Sequence, residues 1–211
     1  MRSRLNSNFS FTATLASVIT ICSLWSANAA TTGDAGAAFL EKLSLSPAPL
    51  RSVIVCHGFG CAYRDQLVLT PDRISFLRTA LGTPRSARDE RKALAGLVAW
   101  FDREVGRVAG TVGRVAYAGA TTENRPAQMD CIDITANITE FLIVLDHNGL
   151  LKFHHVGEPV SRGFIIDGRQ PHTTAVITET ATGVQWSVDS WTKAYGQRPD
   201  IMTIGEWRSR G

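Results

Sequence analysis

The segment DCIDITANITEFLIVLDHNGL, residues 130–150, decides how the rest of the chain is read. Ile134, Ile138, Phe141, Leu142 and Leu145 lie at i, i+4, i+7, i+8 and i+11, the spacing that lines one face of an α-helix. Asp130 stands where a helix N-cap is expected, and Gly149 where a helix commonly stops. Cys131 is therefore predicted to open a helix. A sulfur in that position faces unpaired main-chain N–H groups and the positive end of the helix dipole, both of which favour a thiolate.

On the C-terminal side, 150–156 reads as a strand and 157–171 as a turn-rich connection ending at Pro171. Two strands follow, about 172–180 and 184–189, joined as a hairpin across Ala181-Thr182-Gly183. On the N-terminal side, 107–129 is rich in Gly, Thr and Ala without a period and reads as loop. Before it, Leu94, Leu97, Val98, Phe101 and Val105 predict a helix running from about Ser86 to Val105. The charge run Arg88-Asp89-Glu90-Arg91-Lys92 is expected to be that helix's solvated first turns. Thr70-Pro71-Asp72 signals another helix start, with Ile74, Leu77 and Leu81 as its apolar face. Strands are expected at 52–55 and 66–69, and residues 30–50 read as a small-residue linker with a short amphipathic piece around Phe39, Leu40 and Leu43. Helices first and strands later indicate an α+β domain, a single one over 51–211.

The first residues read differently. Two arginines lie within Met1–Arg4, an apolar run spans 11–25, and Ala27-Asn28-Ala29 is a small-x-small site, so 1–29 is expected to be a cleaved signal peptide. The apolar run, about 15 residues, is shorter than the roughly 20 a membrane-spanning helix needs, and no later run approaches that length. Without residues 1–29 the chain has 20 basic against 19 acidic side chains, a net charge near +1. That balance argues against a dedicated nucleic-acid binder, which would carry a basic patch or stripe.

Export leaves Cys56, Cys61 and Cys131. Cys56 and Cys61 bracket His57-Gly58-Phe59-Gly60, a loop able to bend sharply, and in an oxidising compartment they can close a disulfide. Cys131 would then be an odd thiol, either reactive or buried and inert; its pairing with Cys56 or Cys61 is the geometric alternative. The neighbours favour reactivity. His172 begins one hairpin strand and Asp189 ends the other, so a carboxylate can fix the imidazole tautomer while the second ring nitrogen faces the thiol.

A cysteine at a helix start, a histidine opening a strand and an aspartate closing the next resemble the transglutaminase-like superfamily, which has the papain-like fold and includes bacterial transglutaminase-like cysteine proteinases. The residues that carry the resemblance are "DCIDITANITEFLIVLDHNGL", "HTTAVITE" and "VQWSVDSW", about a third of the chain. It implies acyl transfer through a thioester at a Cys131-His172-Asp189 triad, with no cofactor and no metal. It also implies Gln128 as an oxyanion donor and Trp191 as a cover over the His172–Asp189 hydrogen bond. Peptide, isopeptide or peptidoglycan amides are the substrates it suggests, and the expected signal peptide places the chain in the bacterial periplasm or outside the cell. The runner-up is a cell-envelope binding protein that keeps the fold without catalysis. A zinc site from Cys56, His57, Cys61, His147, His154 and His155 is the weakest reading. Adjacent strand residues such as His154 and His155 point to opposite faces, and no paired ligand spacing is present.

Overall fold

The computed structural model describes residues 34–46, 51–119, 121–163 and 171–210. The expected signal peptide, 1–29, lies outside the described residues. The fold is mixed α+β, with five helices and two antiparallel sheets among those residues. None of these helices is long and apolar enough to cross a membrane.

The central element is helix α4, Cys131–His147, which begins at the predicted residue. Asp130 caps it by accepting from the Asp133 main chain, and Asp133 reciprocates by accepting from the Asp130 main chain, a capping box. Such a cap stabilises a helix by about 1 kcal/mol. Gly149 leaves the helix with φ +63°, a conformation in which a side chain would be strained. The expected apolar stripe understates the burial, because every residue from Asp133 to Leu145 is buried. A helix buried on all sides is an interior element.

Three bodies enclose it. A hairpin of β1, Ser52–His57, and β2, Tyr63–Val68, packs on one side. Asn137 of α4 anchors it, its amide accepting from the Cys56 N–H at 2.6 Å and donating to the Cys56 carbonyl at 2.9 Å. A four-stranded meander of β3 (His154–Arg162), β4 (His172–Glu179), β5 (Gln185–Asp189) and β6 (Asp200–Thr203) packs on another. Helix α3, Ala87–Ala109, closes the core through Phe101, whose ring stacks on Phe141 at 4.3 Å. Helix α2, Pro71–Leu81, lies on α3 and is capped by Thr70 as expected. Helix α1, Asp34–Lys42, packs on α4 and β3 with Leu40 fully buried, so the packed unit begins before the expected boundary at residue 51. The chain ends in α5, Ile204–Ser209.

Four expectations are corrected. β2 begins at Tyr63, ahead of the expected 66. β3 begins at His154 and runs to Arg162, through part of the expected turn region; a bulge between Gly157 and Val160 obscures its alternation. β6 and α5 were not expected at all. The charge run is not wholly solvated: Glu90 is fully buried and accepts from the main-chain N–H groups of Lys152, Phe153 and His154 at 2.7–3.2 Å. Its Oε1 also accepts from His154 Nδ1 at 2.9 Å, while His154 Nε2 accepts from Arg91 at 3.0 Å. An arginine only donates, which places the ring proton on Nδ1. Arg91 also pairs with Glu179 at 2.8 Å and lies over the Trp186 ring. His155, on the other face of β3, lies 3.4 Å from the Thr180 hydroxyl.

Candidate functional site

β4 and β5 form the predicted hairpin, but His172 and Asp189 are not directly opposed. The register Ala175↔Val188, continued outward, sets Asp189 against Thr174, so His172 and Asp189 meet on the diagonal, on one face. His172 Nε2 donates to Asp189 Oδ2 at 2.6 Å, and both side chains are 3% exposed. The carboxylate is fully engaged: Oδ2 also accepts from Trp207 Nε1 at 2.8 Å, and Oδ1 from the Trp191 main chain at 3.1 Å. Burial alone would raise the Asp189 carboxyl. The hydrogen bond from His172, then those from Trp207 and Trp191, outweigh that and hold it below the ordinary carboxylate range.

Trp191 and Trp207 flank the imidazole, at ring distances of 4.5 and 5.3 Å. Trp191 therefore lies against the bonded pair where a covering side chain was expected. The donor role of Trp207 was not legible in the sequence, because it depends on β6 and α5 folding back across β5. The other imidazole nitrogen, Nδ1, is buried and has no hydrogen-bond partner among the described residues.

The disulfide joins Cys56 to Cys61, which removes the alternative pairings and leaves Cys131 as the free cysteine among the described residues. The loop it closes docks on the start of α4. Gly58, Phe59, Gly60 and Cys61 all have positive φ, and a left-handed non-glycine residue is strained by about 1–2 kcal/mol. Carboxylates hold this conformation: Asp133 accepts from Phe59 and Cys61 at 2.8 and 2.6 Å, and Asp130 from Gly60 at 3.0 Å. Burial, then the neighbouring Asp130 charge, push the Asp133 carboxyl up to about 7 against these hydrogen bonds.

A cleft of about 220 Å³ opens over Cys131, its walls including Phe59 from this loop, Ala118, Gly119, Pro171 and Trp191. The Thr173 main chain, one residue beyond His172, lies near enough to the Cys131 sulfur to favour its thiolate. The thiolate expected at the helix start is corrected. Burial dominates, and with the Asp130 and Asp189 charges it pushes the thiol up to about 11, overriding the Thr173 and helix-start amides. The resting thiol is neutral, and the buried Nδ1 of the His172 ring makes no hydrogen bond to it. Gln128 does not line the cleft; its Oε1 accepts from the Val115 main chain at 3.0 Å.

Comparison with protein-family models, with curated proteins and with solved structures returned no match, so the site is read from its own geometry.

Proposed function

We propose that the chain is an exported thiol hydrolase or acyltransferase of papain-like, transglutaminase-like architecture that acts on amide bonds. The observation that carries this reading is the buried His172–Asp189 pair with an unpartnered Nδ1, beside a free cysteine at a capped helix start. With Nε2–H given to Asp189, Nδ1 carries a lone pair and is the basic nitrogen.

Because the thiol is neutral at rest, its proton leaves during attack rather than before it. Cys131 sulfur bonds to the amide carbonyl carbon while the thiol proton passes to His172 Nδ1, and the carbonyl oxygen becomes an oxyanion. The Cys131 main-chain N–H receives that charge. The C–N bond then breaks, the amine leaves with the proton from His172, and a thioester remains. Water or a second amine attacks the thioester carbonyl, returns a proton through His172 and restores the thiol. Asp189 holds the ring through both transfers. The Cys56–Cys61 disulfide suits an oxidising compartment, in keeping with export to the periplasm or beyond.

A non-catalytic envelope binding protein is the second reading, favoured by the raised thiol and by the lack of a hydrogen bond between sulfur and imidazole. Acylation by p-nitrophenyl acetate separates the two. The expected result is an acetyl thioester on Cys131, seen by mass spectrometry, forming about 10²–10⁴ times more slowly in His172→Ala. Equal rates in the two proteins would leave the binding reading in place.

A further inference from the structure

Helix α3 carries two glycines, and packing requires only one of them. A side chain at Gly106 would collide with the Tyr195 ring, whereas one at Gly96 would meet nothing nearer than an Arg198 nitrogen at 3.9 Å. Glycine is the poorest helix former after proline, so Gly96 weakens the helix without relieving a clash. What it does is keep open the floor of a groove of about 250 Å³ between α2, α3 and the connection from β5 to β6. The groove shares no lining residue with the Cys131 cleft. One part of it is aromatic: Phe76 of α2 leans on Trp100 of α3 with ring centres 5.1 Å apart, and Phe76 stays 44% exposed. The rest is cationic. Lys92, Gly96, Trp100 and Arg103 recur at i, i+4, i+8 and i+11, one face of α3, and Arg198 reaches over Gly96 from the connection. Arg103 gives one nitrogen to the Gly196 carbonyl at 3.0 Å, while Lys92 and Arg198 form no ion pair among the described residues. The one acid at hand, Asp89, borders an adjoining hollow with Lys92 and Arg198 rather than the groove itself. A hollow with one sign of charge over apolar walls concentrates the opposite charge.

We propose that this groove binds a small aromatic anion, a one- or two-ring carboxylate or phosphate ester. The anionic group sits between Lys92 and Arg198, and the ring lies over Gly96 against the Phe76–Trp100 pair. Both halves are needed, because a neutral ring leaves the cations unpaired and a bare anion leaves the aromatic pair in water. Size sets the upper limit: sites for drug-sized ligands run to about 300–1,000 Å³, so the groove admits a smaller compound and not a two-chain lipid. The site is independent of the acyl-transfer reading, since it shares no residue with the cleft.

The probes are 1-naphthyl phosphate and 1-naphthoate, titrated by calorimetry into the full exported chain at low ionic strength. At least one should bind with a Kd below about 1 mM. Gly96→Leu fills the floor with a better helix former, so it should abolish binding while leaving Tm unchanged or higher. Arg198→Gln removes a charged donor and should raise Kd about tenfold. Inorganic phosphate and 2-naphthol, each carrying one half of the ligand, should bind at least about tenfold more weakly than the better probe. Should Gly96→Leu lower Tm, Ala93→Leu, which fills the same floor, must abolish binding instead. No binding of either probe by the parent overturns the proposal, as does an unchanged Kd in the filled-floor variant or in Arg198→Gln. Inorganic phosphate binding as tightly as the better probe overturns it in favour of a bare anion site. A dimer that only Gly96→Leu loses, or phosphatidylglycerol vesicles bound by the parent and not by that variant, overturns it in favour of a second copy or a membrane. Acylation of Cys131 by p-nitrophenyl acetate should be the same in these variants as in the parent. If p-nitrophenyl acetate never acylates Cys131 while the probes bind and respond as stated, the groove stands and the acyl-transfer reading falls.

Discussion

At the residue scale the decisive group is the Cys131 thiol, because two opposing influences meet on its sulfur. The helix start and the Thr173 amide stabilise the thiolate, but burial and the charges of Asp130 and Asp189 stabilise the thiol more. At every pH below about 11 the thiolate fraction is therefore smaller than that of an ordinary cysteine, which titrates near 8.5. Iodoacetamide should alkylate Cys131 slowly at pH 7, with a rate that is still rising at pH 9.5. A plateau below pH 8 that His172→Ala abolishes would instead show a preformed thiolate–imidazolium pair and sink the neutral-thiol mechanism. How the proton leaves such a thiol was not legible in the sequence. The residues of the proposed triad and their order were, because a cap, an apolar period and a hairpin turn are local signals.

At the element scale the first turns of α3 hold more than their charge suggests. Glu90 sits between α3 and the start of β3, and its carboxylate is the shared acceptor for three successive main-chain N–H groups and for His154. Burial would raise its carboxyl, but these hydrogen bonds hold it below the ordinary range. Glu90→Ala would leave buried donors without an acceptor, which costs about 3–5 kcal/mol in a fully buried polar cluster. Urea unfolding followed by circular dichroism measures this; a loss under about 1 kcal/mol would mean that water replaces the carboxylate. A run of five charges looks the same in sequence whether it faces water or one member turns inward. The inward turn is set by where β3 docks, more than 60 residues downstream.

At the scale of the whole molecule, three carboxylates give stability a pH dependence whose sign can be worked out. Glu90 and Asp189 are held low in the fold, so their contributions are present above the unfolded carboxylate range near 4 and are lost as pH falls through their folded values. Asp133 is raised to about 7, so between about 4 and 7 the folded chain holds a proton that the unfolded chain has released, and stability declines as pH rises through that window. The fold should therefore be most stable near pH 5, with Tm falling between pH 5 and 8, and Asp133→Asn should flatten that fall. Scanning calorimetry across that range tests it, and a Tm that rises from pH 5 to 8 would contradict the account. By itself the sequence determined the α+β class, the capped helix that begins at Cys131 and the His172–Asp189 hairpin, because periodicity, capping residues and turn residues act over a few positions of chain. Tertiary structure alone decided which cysteine stays free, that Trp207 donates to Asp189, that Glu90 and Asp133 turn inward and that the thiol stays protonated. Each of these depends on water being excluded by elements that meet only when the chain has folded.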